Sequence, residues 1–404
     1  MRKLIYTMCV LGGVFANKLA NAQSVEPTQE PDSLAQRIDL LQQEVDQLKQ
    51  KNDRFNLLIN FQGNNRSNFD QNGFVDNKFT IDQFRIEMMG ELADGLTYRF
   101  RQRINSTSGN GNQDGLSFAT DVMELQYEVN DDFRIKFGKQ AEMLGGYEFD
   151  YNPIDIYQYT LIGNYCKGFL TGVNFSYDIG AQNLNFQIVN ADNTLSTDRL
   201  PEGVNETGAA MGYNVLWYGS LFDGKLQPIW SYQLYNNYED AFTKRVNLGF
   251  RINQKKPNRF FEFEVYNSSE DVDDMKLVSD VYQQFEGNDN TLMTDVQYYG
   301  VVGKYRYAFS DKCHALVKYA YEKANTKDGS FYGETSSTQS DVFTSQTGVV
   351  AFEYYPYGYA DGFRVHLAVS SQGFNYVDQV NAAGVEDISN SSIMIGVKHR
   401  LQLF

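Results

Sequence analysis

The chain has 404 residues and carries 51 acidic against 35 basic side chains, a formal charge of −16. That balance argues against nucleic acid as a partner, because a phosphate backbone is held by a basic surface. Three cysteines exclude a disulfide scaffold, and 28 Tyr and 29 Phe against 7 Pro suit a chain of many strands.

Arg2 and Lys3 precede an apolar stretch from Leu4 to Phe15, and Ala20-Asn21-Ala22 is a small-x-small site. This pattern predicts a secretory signal peptide over 1–22, cut before Gln23. The apolar stretch is too short to span a bilayer as a helix, and no later stretch reaches the ~18 apolar residues a membrane helix needs. Cleavage would remove Arg2, Lys3 and Lys18 but no acid, leaving 32 basic against 51 acidic residues and a charge of −19. Cys166 and Cys313 would remain, and the sequence leaves open whether they pair.

Residues 23–33 are polar, contain Pro27 and Pro31, and read as a linker. Leu34, Ile38, Leu41, Val45, Leu48, Asn52, Phe55 and Ile59 then follow 4-3-4-3 spacing with polar residues between them. That is the spacing of heptad a and d positions, and it predicts a short coiled-coil helix over 34–55. An amphipathic helix lying on the next domain is the competing reading.

From residue 56 to 404 the period is two. Strands are expected near 56–63, 79–90, 96–104, 119–129, 133–138, 168–177, 183–189, 207–219, 225–234, 244–252, 259–266, 296–308, 313–322, 342–354, 363–370 and 392–404. The connections alternate in length. Eight longer ones, beginning with 64–78 and including 105–118, 139–167, 190–206, 235–243, 267–295, 323–341 and 371–391, are separated by seven short turns. Hairpin turns on one rim and long loops on the other are the mark of an up-and-down barrel in an outer membrane. The predicted fold is therefore all-β, a 16-stranded antiparallel transmembrane β-barrel preceded by a short N-terminal coiled-coil helix. At about 22 residues per strand and connection, each strand can supply the ~10 residues a tilted crossing needs.

Tyr98 to Asn105 reads YRFRQRIN. On a strand, Arg99, Arg101 and Arg103 share one face, and the first and third lie roughly 13 Å apart. An arginine on the lipid face costs ~2–4 kcal/mol at the midplane. Three would cost roughly 6–12 kcal/mol, comparable with a whole net stability of ~5–15 kcal/mol. They must face the lumen. Other strands agree: Met123, Leu125, Tyr127 and Val129 oppose Glu124, Gln126 and Glu128, and Phe133, Ile135 and Phe137 oppose Arg134 and Lys136.

The leader, the coiled coil, the sixteen-strand pattern, terminal Phe404 and the stretch FRIKFGKQAEMLGGYEFDY from Phe133 to Tyr151 together resemble the phosphate-selective porin family of the O and P type. The resemblance implies a homotrimeric barrel in the outer membrane of a Gram-negative bacterium, with outer-membrane lipid around it, passing small anionic or polar solutes. It implies that the third long loop, 139–167, folds inward to narrow the pore and that an arginine ladder draws the anion through. By position the ladder candidates are Arg99, Arg101 and Arg103, with Arg134 and Lys136 on a nearby strand. Two features depart from the family pattern. The 139–167 loop sets Lys139 and Lys167 against Glu142, Glu148, Asp150 and Asp155, so phosphate selectivity stays open. In the ending KHRLQLF, Leu401 and Leu403 stand on the face opposite to Phe404, which a late bulge would bring into phase.

The leading expectation is a porin for passive diffusion of small solutes, with phosphate among the candidate anions. A general porin with structural lumen arginines and a surface adhesin are the alternatives. An enzyme is not expected: of His314, His366 and His399, none stands beside a nucleophile motif. No cofactor is expected and no zinc cluster is present. Asp271, Asp273 and Asp274 match no calcium-loop spacing and read as a solvated acidic loop.

Overall fold

The computed structural model describes residues 54–106, 114–191, 199–254, 258–285, 291–326 and 340–403. The expected leader, linker and most of the coiled coil lie outside these residues. The strands are β1 (Asn56–Asp70), β2 (Gly73–Ala93), β3 (Leu96–Arg103), β4 (Thr120–Glu128), β5 (Phe133–Ala141), β6 (Phe169–Ile179), β7 (Gln182–Asn190) and β8 (Glu206–Tyr218). They continue as β9 (Leu226–Tyr238), β10 (Ala241–Asn253), β11 (Phe260–Val272), β12 (Thr294–Ala308), β13 (Cys313–Thr326), β14 (Ser340–Tyr354), β15 (Arg364–Tyr376) and β16 (Ile388–Gln402). Each pairs antiparallel with its chain neighbours, and β1 closes on β16, so the sheet is a closed barrel with no free edge.

Period-two alternation decides which face of each strand meets what. On β13, Val317, Tyr319 and Tyr321 are 49%, 52% and 42% exposed on the outside, while Lys318, Ala320 and Glu322 between them are buried. The same division holds on β14 to β16, where Val350, Phe352, Leu367, Val369, Ile393 and Ile395 face outward. An inverted arrangement, apolar outside and polar inside, is what a strand needs when its outer solvent is hydrocarbon. No helix among the described residues is long and apolar enough to cross a membrane, and the crossing elements are strands.

The strands all fall where the alternation places them, but two of the expected long loops are not loops. Residues 64–78 and 235–243 are continuations of hairpins, β1–β2 turning between Asp70 and Gly73 and β9–β10 between Tyr238 and Ala241. Their Asn-rich composition resembles a loop, yet the side chains pair across the ribbon, as Asn65 with Asn77 at 3.0 Å. Glu128 keeps the parity of Glu124 and is exposed beside a short turn. Among the described residues no late bulge is present: β1 and β16 pair without a shift from Leu58↔Gln402 to Phe69↔Ser391.

Inside the barrel, long-rim segments build a core of their own. Leu161 and Ile162 of the short helix Leu161–Tyr165 and Val278 and Val281 of the helix Leu277–Tyr282 pack with Val380 and Val385 and with Tyr298 and Phe343 of the wall. This apolar mass packs against the inner wall along β11 to β15.

Candidate functional site

One side of the lumen is a wall of arginines. The β2–β3 register sets Arg85 opposite Arg103 and Glu87 opposite Arg101, all on the inner face. Arg99 binds Glu87 at 2.7 Å, and Arg400 of β16 approaches the same carboxylate at 3.4 Å. Asp121 holds three more guanidiniums: Arg85 at 2.7 Å, Arg101 at 3.2 Å and Arg103 at 3.0 Å, the last an ion pair without hydrogen-bond alignment. Asp121 points inward because of a bulge. Arg101 pairs with Val122 and Gln102 with Thr120, so Asp121 is the extra residue on β4. Strict alternation would have put it outside beside Met123.

Five guanidiniums thus share two carboxylates, both with fully buried side chains. Arg99, Arg103 and Arg400 keep 38%, 36% and 42% of their side chains exposed. The carboxylates hold the arginines in position, and a wall with more guanidiniums than carboxylates raises the local concentration of anions. Arg85 and Arg400 were not singled out by sequence. Arg85 was legible in the alternation of QFRIE, whereas the closeness of Arg400 to β2 exists only once the barrel closes.

The second component is the segment 139–167, which does fold into the lumen. Gly145 and Gly146 lie flat on the inner wall of β9 to β11. The Gly145 amide donates to Ser231 Oγ at 2.7 Å, the Asn247 amide donates to the Gly145 carbonyl, and the Tyr147 amide donates to Glu264 at 2.7 Å. Gly146 has φ +99°, and a Cβ there would sit 2.4 Å from Glu264 Oε2. Only glycine combines that backbone with so close an approach.

Beyond this point the segment is pinned across the barrel. Tyr157 donates to Glu353 at 2.9 Å, and the Lys398 ammonium lies 3.3 Å from the centre of the Tyr157 ring. The Leu161 amide donates to Glu322 at 2.8 Å, and Lys304 lies 3.5 Å from the centre of the Tyr151 ring. The acids of the segment are engaged in the same anchoring. Glu148 pairs with Lys318 and Asp155 with Arg364. Glu142 accepts from Tyr235 at 2.7 Å and Gln233 at 2.9 Å. Asp150 accepts from Tyr218 at 3.2 Å. The two basic residues at the ends are likewise paired, Lys139 with Asp114 at 3.3 Å and Lys167 with Asp274 at 2.7 Å.

Arginine wall and inserted segment bound a common cavity of about 570 Å³. Of the residues expected from sequence, Arg99, Arg101, Arg103 and Lys136 line it, Lys136 also reaching Glu124 at 3.3 Å. Arg134 is not among its lining: it pairs with Asp178 at 2.6 Å, near the short-turn rim. His314 and His366 are buried, the first 3.0 Å from Arg306 and the second 2.8 Å from Asn64. Asp273 and Asp274 are not a solvated cluster. Asp273 accepts from Ser279 and Tyr298, and Asp274 pairs with Lys167 and Arg245. Cys166 and Cys313 carry free thiols.

A family model described as phosphate-selective porin O and P matches residues 55–387. No curated protein sequence matches the chain. Among solved structures, the outer-membrane channel DcaP of Acinetobacter baumannii aligns with a TM-score of 0.57 at 10% identity, over 86% of this chain and 98% of that one. OmpT of Vibrio cholerae in its trimer form aligns with a TM-score of 0.52 at 11% identity, over 86% and 100%. An anion-selective porin from Comamonas acidovorans gives a TM-score of 0.52 at 9% identity, over 86% and 99%. Likeness at such identities is likeness of fold.

Proposed function

We propose that this chain, which belongs to the phosphate-selective porin O and P family, passes small anions by passive diffusion along the arginine wall. It is an outer-membrane porin. The observation that carries the anion reading is the shared pairing of Arg85, Arg99, Arg101, Arg103 and Arg400 with only Glu87 and Asp121. An anion at the cavity meets donors already oriented by buried partners, so little ordering is required on entry. The anchored segment supports the reading in a second way: its carboxylates face lysine, arginine and phenol partners of their own, so the acidic composition of the chain need not repel an anion.

A planar-bilayer measurement tests this. Under a KCl gradient the reversal potential should show chloride preference, and changing Arg99, Arg101 and Arg103 together to Ala should abolish it. An unchanged reversal potential in the triple variant would favour a second reading, a general porin with structural arginines. That reading has its own support, since each of the three is ion-paired.

By analogy with a structural neighbour solved as a trimer, the assembly we infer is a homotrimer, which light scattering in detergent measures. Sequencing the N-terminus of the mature protein checks cleavage before Gln23.

A further inference from the structure

We infer that the cavity selects organic anions with a flat apolar body, arene carboxylates being the simplest, over compact inorganic ones such as phosphate. This rests on the anion reading and names its solute class. The guanidiniums stand on one side, and Lys167 on the inserted segment is turned to Asp274. The remaining sides present Met143, Phe149, Tyr159, Phe169, Leu216 and Tyr218. The carboxylates among them are turned to partners: Glu142 to Tyr235 and Gln233, Glu148 to Lys318, and Asp150 to Tyr218.

A phosphate is polar on every side. Held against the guanidiniums, it would turn its other oxygens toward these rings and alkyl groups and lose water without replacement. A carboxylate on a ring divides as the cavity does. Its two oxygens suit the guanidinium fork, and its ring suits the aromatic side. The wall already shows such a contact, with the Arg101 guanidinium 5.2 Å from the centre of the Phe169 ring. A volume of about 570 Å³ is large enough for a small organic molecule.

The test compares acetate, benzoate and phosphate as blockers of chloride current through the full-length protein in a planar bilayer at neutral pH. Benzoate should half-block at a concentration about three- to tenfold below acetate, the worth of one aromatic contact. Phosphate should block less well than benzoate. Tyr159→Ser should narrow the gap between benzoate and acetate, and Tyr159→Phe should restore it. Equal block by acetate and benzoate, or stronger block by phosphate, in a channel that prefers chloride overturns this inference alone. Cation preference in the reversal potential overturns it together with the anion reading. If Tyr159→Ser loosens the inserted segment, its chloride conductance rises, and the wild-type comparison of the three blockers still decides the matter.

Discussion

Asp121 shows how much one side chain can organise. It is fully buried, and three arginines converge on it. Removing its charge would leave those guanidiniums facing each other in a low-dielectric wall. Breaking a buried ion pair in this way costs about 3–5 kcal/mol. Asp121→Asn should therefore lower the unfolding temperature and, in the fraction that folds, increase chloride preference. Both effects are measurable, by circular dichroism and by reversal potential, and a fall in chloride preference would contradict the assigned role. The arginine trio was legible in sequence because parity alone separates lumen from lipid. Asp121 was not, because a one-residue bulge reverses parity beyond it and leaves no compositional trace.

At the scale of elements, the inserted segment is the part of the protein that alternation does not describe. Its acidic composition suggested a poor lining for an anion path. The structure assigns those acids to anchoring, and they act on the far wall. It lies against the wall at Gly145–Gly146, where a side chain would strike it. Gly146→Val forces a backbone conformation that costs about 1–3 kcal/mol for a residue with a Cβ. It also clashes with Glu264. The segment should lift, single-channel conductance should rise, and chloride preference should weaken. The two tight hairpins are the converse case. In the β1–β2 ribbon the start of β2 is exposed at nearly every position, so the alternation fades and an Asn-rich stretch reads as a loop.

For the whole molecule, the barrel sorts residues by solvent. Tyr319 sits mid-strand on the outside, and Tyr354 ends β14. Tyr319→Arg should destabilise the barrel in lipid by about 2–4 kcal/mol, and Tyr354→Arg by about 0–1 kcal/mol near the interface. Urea titration in vesicles measures the difference, and equal losses would overturn the assignment of depth. The arginine wall also acts at this scale. Raising KCl from about 0.1 M to 1 M shortens the screening length from about 10 Å to about 3 Å. Chloride preference should therefore fall with salt.

The sequence by itself determined the strand count, the antiparallel order and most of the lipid-facing and lumen-facing sets. These follow from a period of two and from the cost of charge in hydrocarbon, both local or nearly so. Only the tertiary structure decided which charges meet. Closure brings Arg400 to Glu87, a bulge brings Asp121 to three arginines, and anchoring pairs Glu148 with Lys318 and Asp155 with Arg364. Coulomb interactions depend on distance through space, and in a closed barrel residues hundreds of positions apart become neighbours that no local pattern records.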